Sequence, residues 1–188
     1  SSKALSTAWI LSPRTSNSHW DLETLSEYIQ EYQRPFHSVS LTGGEPLAQA
    51  GFLALLVPRL KRMRRVVYLE TNGLLPDELE SVVDGVDIIA ADIKLPSVAG
   101  IRPRWDAHRR FLAVGARKEL FVKIVIAPSA SDDDLRHAAR MIADVDRKIP
   151  VVLQPESGQI RDPRMKEQLM RAFTLLNERM TTVRIIPQ

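Results

Sequence analysis

The sequence contains no cysteine. This excludes a disulfide framework and any thiolate metal site built from these residues. Long apolar runs are lacking too. Nothing approaches the roughly 20 apolar residues that cross a bilayer as a helix, and the first residues carry no signal-peptide pattern. The compartment expected from these absences is the cytoplasm, with no membrane partner. Neither sign of charge dominates: 26 lysines and arginines face 23 aspartates and glutamates, a formal charge of +3. That is too small to point to a polyanionic partner. The densest basic cluster, Lys61-Arg62-Met63-Arg64-Arg65, reads better as the solvated end of a helix, where the dipole favours cations, than as a nucleic-acid contact. Phosphate-binding glycine loops and Ser-His-Asp patterns are absent. His19, His37, His108 and His137 have no metal-ligand spacing and read as structural or surface residues. Met63, Met141, Met165, Met170 and Met180 fall at helical spacing and read as core.

What is present is an alternation. The chain has 188 residues, 44% apolar and 26% charged, a soluble composition for which one domain is the default. Helical spacing at Leu22, Leu25, Tyr28, Ile29 and Tyr32 follows Asp21, a natural cap. An apolar strand is predicted over 36–41 and a helix over 47–62, where Pro58 predicts a kink or an earlier end. Strands are expected at 66–69, 86–91, 120–126, 149–153 and 183–186. Helices are expected at 76–83, with Pro76 in its first turn, at 105–114, from Ser131 with Asp132, Asp133 and Asp134 favouring its start, and at 163–177. Residues 8–20 look like a loop. Apolar strands separated by helices predict a parallel sheet covered by helices.

In such sheets and barrels, ligands collect at the C-terminal ends of the strands. Those ends carry the polar residues here: Thr42-Gly43-Gly44-Glu45-Pro46, Glu70-Thr71-Asn72-Gly73, Asp92-Ile93-Lys94, Lys123 within its apolar run, and Gln154-Pro155-Glu156-Ser157-Gly158. The glycines allow a sharp turn and a close ligand approach. Glu45 could accept from an amine, Asp92 from ribose hydroxyls, and Lys94 could meet a carboxylate. Each feature alone has a plainer reading: a strand-to-helix turn, turn chemistry at Thr71-Asn72-Gly73, a surface pair, a lysine reaching solvent. Their conjunction at successive strand ends points to a small-molecule site.

The segments SLTGGEPL, YLETNGLLP, DIIAADIKLPS and VVLQPESG resemble, in that order, the core motifs of radical S-adenosylmethionine enzymes. The branch they resemble is that of the 7-carboxy-7-deazaguanine synthases, near the glycyl-radical-enzyme activases, and the closing VRIIPQ is similar to the same branch. The resemblance covers residues 36–188. It implies an α/β fold, an open partial (β/α) barrel of parallel strands whose first strand is missing, with 183–186 as an added edge strand. It implies S-adenosylmethionine as cofactor, with Gly43, Gly44 and Glu45 at the methionine amino group and Glu70, Thr71 and Asn72 near the ribose or a cation such as magnesium. Asp92 and Lys94 would meet the ribose and the carboxylate, Lys123 and Val125 would flank the adenosine, and Gln154 would approach the adenine. No catalytic side chain is assigned.

The family's CxxxCxxC loop, whose thiolates hold a 4Fe-4S cluster, has no counterpart here. The cluster is expected only in an intact, cysteine-containing protein, so the chain by itself is expected to be inactive. Residues 1–188 are expected to be one radical S-adenosylmethionine core-like domain, a trimmed piece truncated at both ends. A naturally cysteine-free homologue is the alternative. The resemblance implies a lyase that contracts the ring of 6-carboxytetrahydropterin toward 7-deazapurine, as in queuosine biosynthesis. An external electron donor and a homodimer go with that reading. An activase-like protein and a non-catalytic S-adenosylmethionine or nucleotide-binding homologue remain as alternatives.

Overall fold

A computed structural model describes residues 21–31 and 38–186. The expected loop at 8–20, residues 36 and 37 of the first strand and the closing Pro187-Gln188 lie outside the described residues. Helix α1 (Leu22–Glu31) starts where Asp21 accepts a hydrogen bond from the Thr24 amide at 2.8 Å. Strand β1 (Ser38–Leu41) leads through a 3-10 turn (Pro46–Gln49) into α2 (Ala50–Arg62). Pro58 does not end α2 early, since the helix continues to Arg62 around it.

The remaining elements are β2 (Val66–Thr71), α3 (Pro76–Val82), β3 (Ile88–Ile93), α4 (Pro96–Ala99), α5 (Trp105–Gly115), β4 (Glu119–Ile126), α6 (Asp132–Asp146), β5 (Val151–Pro155), α7 (Met165–Asn177) and β6 (Val183–Ile185). The four-residue α4 is the one helix that periodicity does not predict. The Ser131 hydroxyl caps α6 by accepting from the Asp134 amide at 3.2 Å.

The strands lie in the order β1-β2-β3-β4-β5-β6, every neighbouring pair is parallel, and the sheet does not close. Each pair of successive parallel strands is joined by a crossover carrying a helix, and burial that alternates along the strands puts those helices on one face. The result is an open, partial (β/α) barrel, as expected. Among the described residues β1 pairs with β2 alone, so Ser38, Val39 and Ser40 form the first edge.

Burial follows the pleat. Val67, Leu69, Ile89, Ile93, Val122, Ile124, Ile126, Val151 and Leu153 are fully buried. They meet Leu53, Leu56, Leu60, Leu79, Phe111, Leu112, Leu135, Ile142 and Leu176 of the helices in one core. Full burial of such a side chain contributes about 1.5–3 kcal/mol. The alternate residues Tyr68, Glu70, Asp92, Phe121, Lys123, Val125, Val152 and Gln154 are only partly buried. Of the methionines, Met141, Met165 and Met180 join the buried set, whereas Met170 lies on the outside of α7 at 52% exposure. Far from the polar strand ends, Asp87 just before β3 accepts from Lys61 at 2.6 Å and from the Val67 amide at 2.7 Å, tying the end of α2 to the sheet.

Candidate functional site

After β1 the chain turns at Thr42-Gly43-Gly44-Glu45. Gly43 has φ +126°, a conformation L side chains rarely adopt. A Cβ at Gly43 or Gly44 would meet nothing within 4 Å, so this backbone faces open space. Glu45 does not. Its carboxylate accepts from the Leu47 amide at 3.1 Å, the Thr71 hydroxyl at 2.8 Å and the Asn72 amide at 2.8 Å. It therefore caps the 3-10 turn and binds the loop after β1 to the loop after β2. Thr71 is buried, and its hydroxyl also accepts from the Gly73 amide at 3.2 Å. Asn72 folds back to accept from the Leu74 amide at 3.0 Å.

The polar residues expected at strand ends lie partly within the strands, on the face without helices. Register aligns Glu70 with Ala90 and Phe121, Asp92 with Lys123 and Val152, and Val125 with Gln154. Lys123 approaches Glu70 at 3.7 Å, and the Thr42 hydroxyl donates to the same carboxylate at 3.4 Å. Burial, and then the Glu70 charge, push the Tyr68 phenol up to about 12. Burial raises Asp92 above the usual carboxylate range; Lys94 and Lys123 oppose this and Glu70 adds to it. Asp92 Oδ1 is buried and has no hydrogen-bond partner. A buried polar atom without a partner is costly and calls for an explanation. Gly43, Gly44, Glu70, Asp92, Lys123, Val125 and Gln154 thus share one face or rim, whereas Glu45 and Thr71 are engaged within the protein.

Beside Asp92 a solvent-open cleft is lined by Asn72, Leu74, Lys94, Pro96 and the start of α5. Ile101, Arg104, Trp105 and His108 line it too. His108, expected to be structural or on the surface, is 5% exposed, and burial pushes it down to about 4. Trp105 stacks on His137 with ring centres 4.6 Å apart. The sequence does not point to Tyr68, Arg104, Trp105 or His108 as site residues. For Tyr68 the signal is its position two residues before Glu70, hence on the same face. For the α5 residues no sequence signal exists. Among the described residues no group of three or more His, Asp or Glu could hold a metal ion, and no helix is long and apolar enough to cross a membrane.

A 7-carboxy-7-deazaguanine synthase of Geobacter sulfurreducens is 40% identical over 138 residues, covering 71% of this chain and 55% of that protein. The synthase of the same name from Archaeoglobus fulgidus is 30% identical over 162 residues, covering 78% of this chain and 68% of the relative. The chain belongs to the 7-carboxy-7-deazaguanine synthase family. It spans between about half and two thirds of the length of these two relatives. No protein-family model matches it. A solved structure of TYW1 with a lysine-pyruvate adduct bound superimposes with a TM-score of 0.57 at 14% identity, over 85% of this chain and 61% of that one. That likeness shows the fold. Family membership brings no thiolate with it, because this sequence has no cysteine.

Proposed function

We propose that this chain is the S-adenosylmethionine-binding part of a 7-carboxy-7-deazaguanine synthase. The observation that carries the reading is the unpartnered Asp92 Oδ1, set on the open face of a sheet whose family is that of the synthases. A ribose hydroxyl is the donor such an atom lacks. The open backbone at Gly43 and Gly44 offers carbonyl groups to an ammonium, Lys94 meets a carboxylate, and Val125 and Gln154 lie along the adenosine. Glu70 and Lys123 compensate each other beneath the ribose. Asn72 borders the ligand, while Thr71 and Glu45 hold the two turns in place. Once one electron from a donor outside this chain cleaves its C–S bond, bound S-adenosylmethionine would supply the hydrogen-abstracting chemistry by which such a synthase acts on a carboxylated pterin.

The 4Fe-4S cluster does not fit these residues, since its iron needs thiolates and the chain offers none. No step through a cluster is assigned to the chain, and the electron donor and a second copy of the chain stay proposals tied to the family. A magnesium ion has no acidic cluster to hold it among the described residues. The lack of cysteine favours one second reading, a homologue that binds S-adenosylmethionine without turning it over.

Calorimetric titration tests the proposal. The wild-type chain should bind S-adenosylmethionine, and Asp92→Ala should weaken binding about ten- to a hundredfold, the loss expected for a hydrogen bond to a charged group of roughly 1.5–3 kcal/mol. A wild-type chain that gives no heat with S-adenosylmethionine overturns the reading.

A further inference from the structure

Beyond Ile93 the chain leaves the sheet. Ile93 is the last residue of β3 and pairs with Ile124, so the backbone of Lys94 takes no position from a neighbouring strand. Lys94 is exposed, and Leu95 after it is fully buried. Then comes α4, a single turn of four residues that ends where Gly100 adopts φ +64°. One turn is far below the roughly 12 residues at which an isolated helix begins to hold itself in water. Leu95, at its cap position, offers no side-chain cap. The start of α4 has to be held from outside.

The hold comes from α6. Ser131 and Asp134 have the spacing of a capping box, in which the third-position side chain accepts from the amide of the cap residue. Here Ser97 is inserted between the two. Its amide donates to Asp134 Oδ2 at 2.8 Å, and its hydroxyl accepts from the Ser131 amide at 3.0 Å. The Asp134 amide donates to the Ser131 hydroxyl at 3.2 Å, which closes a ring of three hydrogen bonds. A closed box would satisfy the Ser131 amide within α6 alone, so α6 itself gains nothing from the insertion. The loop after β3 gains a fixed point, because Ser97 lies only three residues beyond Lys94. The anchor is firm: Leu135, Ala138, Ala139 and Ile142 bury one side of α6. From α7, Arg171 grips Asp132 and Gln168 donates to the Ala130 carbonyl at 2.6 Å.

We propose that Ser97 and Asp134 are positioning residues, which hold the loop after β3 so that Lys94 stands where a ligand carboxylate arrives. The ligand rests on the S-adenosylmethionine reading above, and the new element is the dependence of that contact on a carboxylate of another helix.

The test is calorimetric titration of the full chain with S-adenosylmethionine and with its decarboxylated analogue, which keeps the ammonium and the adenosine and lacks only the carboxylate. Asp134→Ala should weaken S-adenosylmethionine about three- to tenfold, part of the loss of a charged hydrogen bond, and leave the analogue unchanged. Asp134→Asn, whose Oδ1 can still accept from the Ser97 amide, should keep wild-type affinity. Asp133→Ala removes the same charge from the same turn, at an exposed position, and should change neither affinity. A role confined to stability predicts otherwise: the two aspartates act alike through the helix dipole, and any loss is shared by both ligands. Without ligand, Asp134→Ala should speed deuterium exchange at the amides of 97–100 while β3 and β4 stay protected. Equal loss for the two ligands, an Asp134→Asn variant as weak as Asp134→Ala, or unchanged exchange at 97–100 overturns the positioning role. Wild-type binding of S-adenosylmethionine with no loss in Asp134→Ala sinks that role alone. A wild-type chain that binds neither ligand sinks the S-adenosylmethionine reading and the positioning role together.

Discussion

The two faces of the sheet use the same six strands for different ends. On one face Val67, Leu69, Ile89, Ile93, Val122, Ile124 and Val151 disappear under helices. On the other, one residue along, Tyr68, Glu70, Asp92, Lys123 and Gln154 stay partly open, and all five bring polar groups. The pleat alone separates them, because successive side chains point to opposite sides. Stability is concentrated on the covered face. The open face retains an unpartnered carboxylate oxygen, an ion pair at 3.7 Å and an open glycine turn, features that a face selected for stability alone would lose. Substitutions on the covered face should therefore be felt in stability, and those on the open face in binding.

The largest effect is expected on the covered face. Leu69→Ala removes a fully buried side chain and should cost about 2–5 kcal/mol in urea unfolding, with the m-value little changed. A loss below about 1 kcal/mol would break the division between faces.

His108 comes next, since it is buried among helix residues yet borders the cleft. Its folded value, about 4, lies below the ordinary 6.5, so the unfolded chain binds the proton more readily between those values. The stability tied to neutral His108 is present above pH 6.5 and is lost as pH falls toward 4. The loss should reach the order of 3 kcal/mol at most, and His108→Gln should flatten that part of the pH profile.

Glu45 sharpens the comparison from the rim. Its three hydrogen bonds join two turns, so Glu45→Ala should cost about 1–3 kcal/mol and speed exchange of the Asn72 amide. Lys123→Met should have the smallest effect on stability, under about 1 kcal/mol, because its pair with Glu70 is long and partly exposed. Its effect should fall on S-adenosylmethionine binding instead.

Much of this arrangement is legible in the sequence. The strand-helix alternation, the caps at Asp21 and Ser131 and the polar strand ends all follow from local patterns. Apolar content alone predicts a sheet covered by helices, but the alternation in VVYLET and ELFVKIVI matches the burial of one face only. Glu45 shows the limit of residue chemistry, since a carboxylate in a glycine turn suits a ligand amine and a neighbouring loop equally well. Only the approach of Thr71 and Asn72, 26 and 27 residues away, separates the two. The cleft is less legible still. Arg104, Trp105 and His108 follow helical spacing and carry no motif, and only the packing of α5 beside the end of β3 brings them to Asp92.

In the proposed function the open face and its rim hold S-adenosylmethionine, while the helix-covered face only supports them. Hydrogen-deuterium exchange of the wild-type chain with and without S-adenosylmethionine tests it most directly. Ligand-dependent protection is expected at the amides of 42–45, 71–74, 92–95, Gln154 and Glu156, with none across the outer surfaces of α2, α6 and α7. Protection confined to those helices, or no protection at the strand ends at saturating ligand, would contradict it.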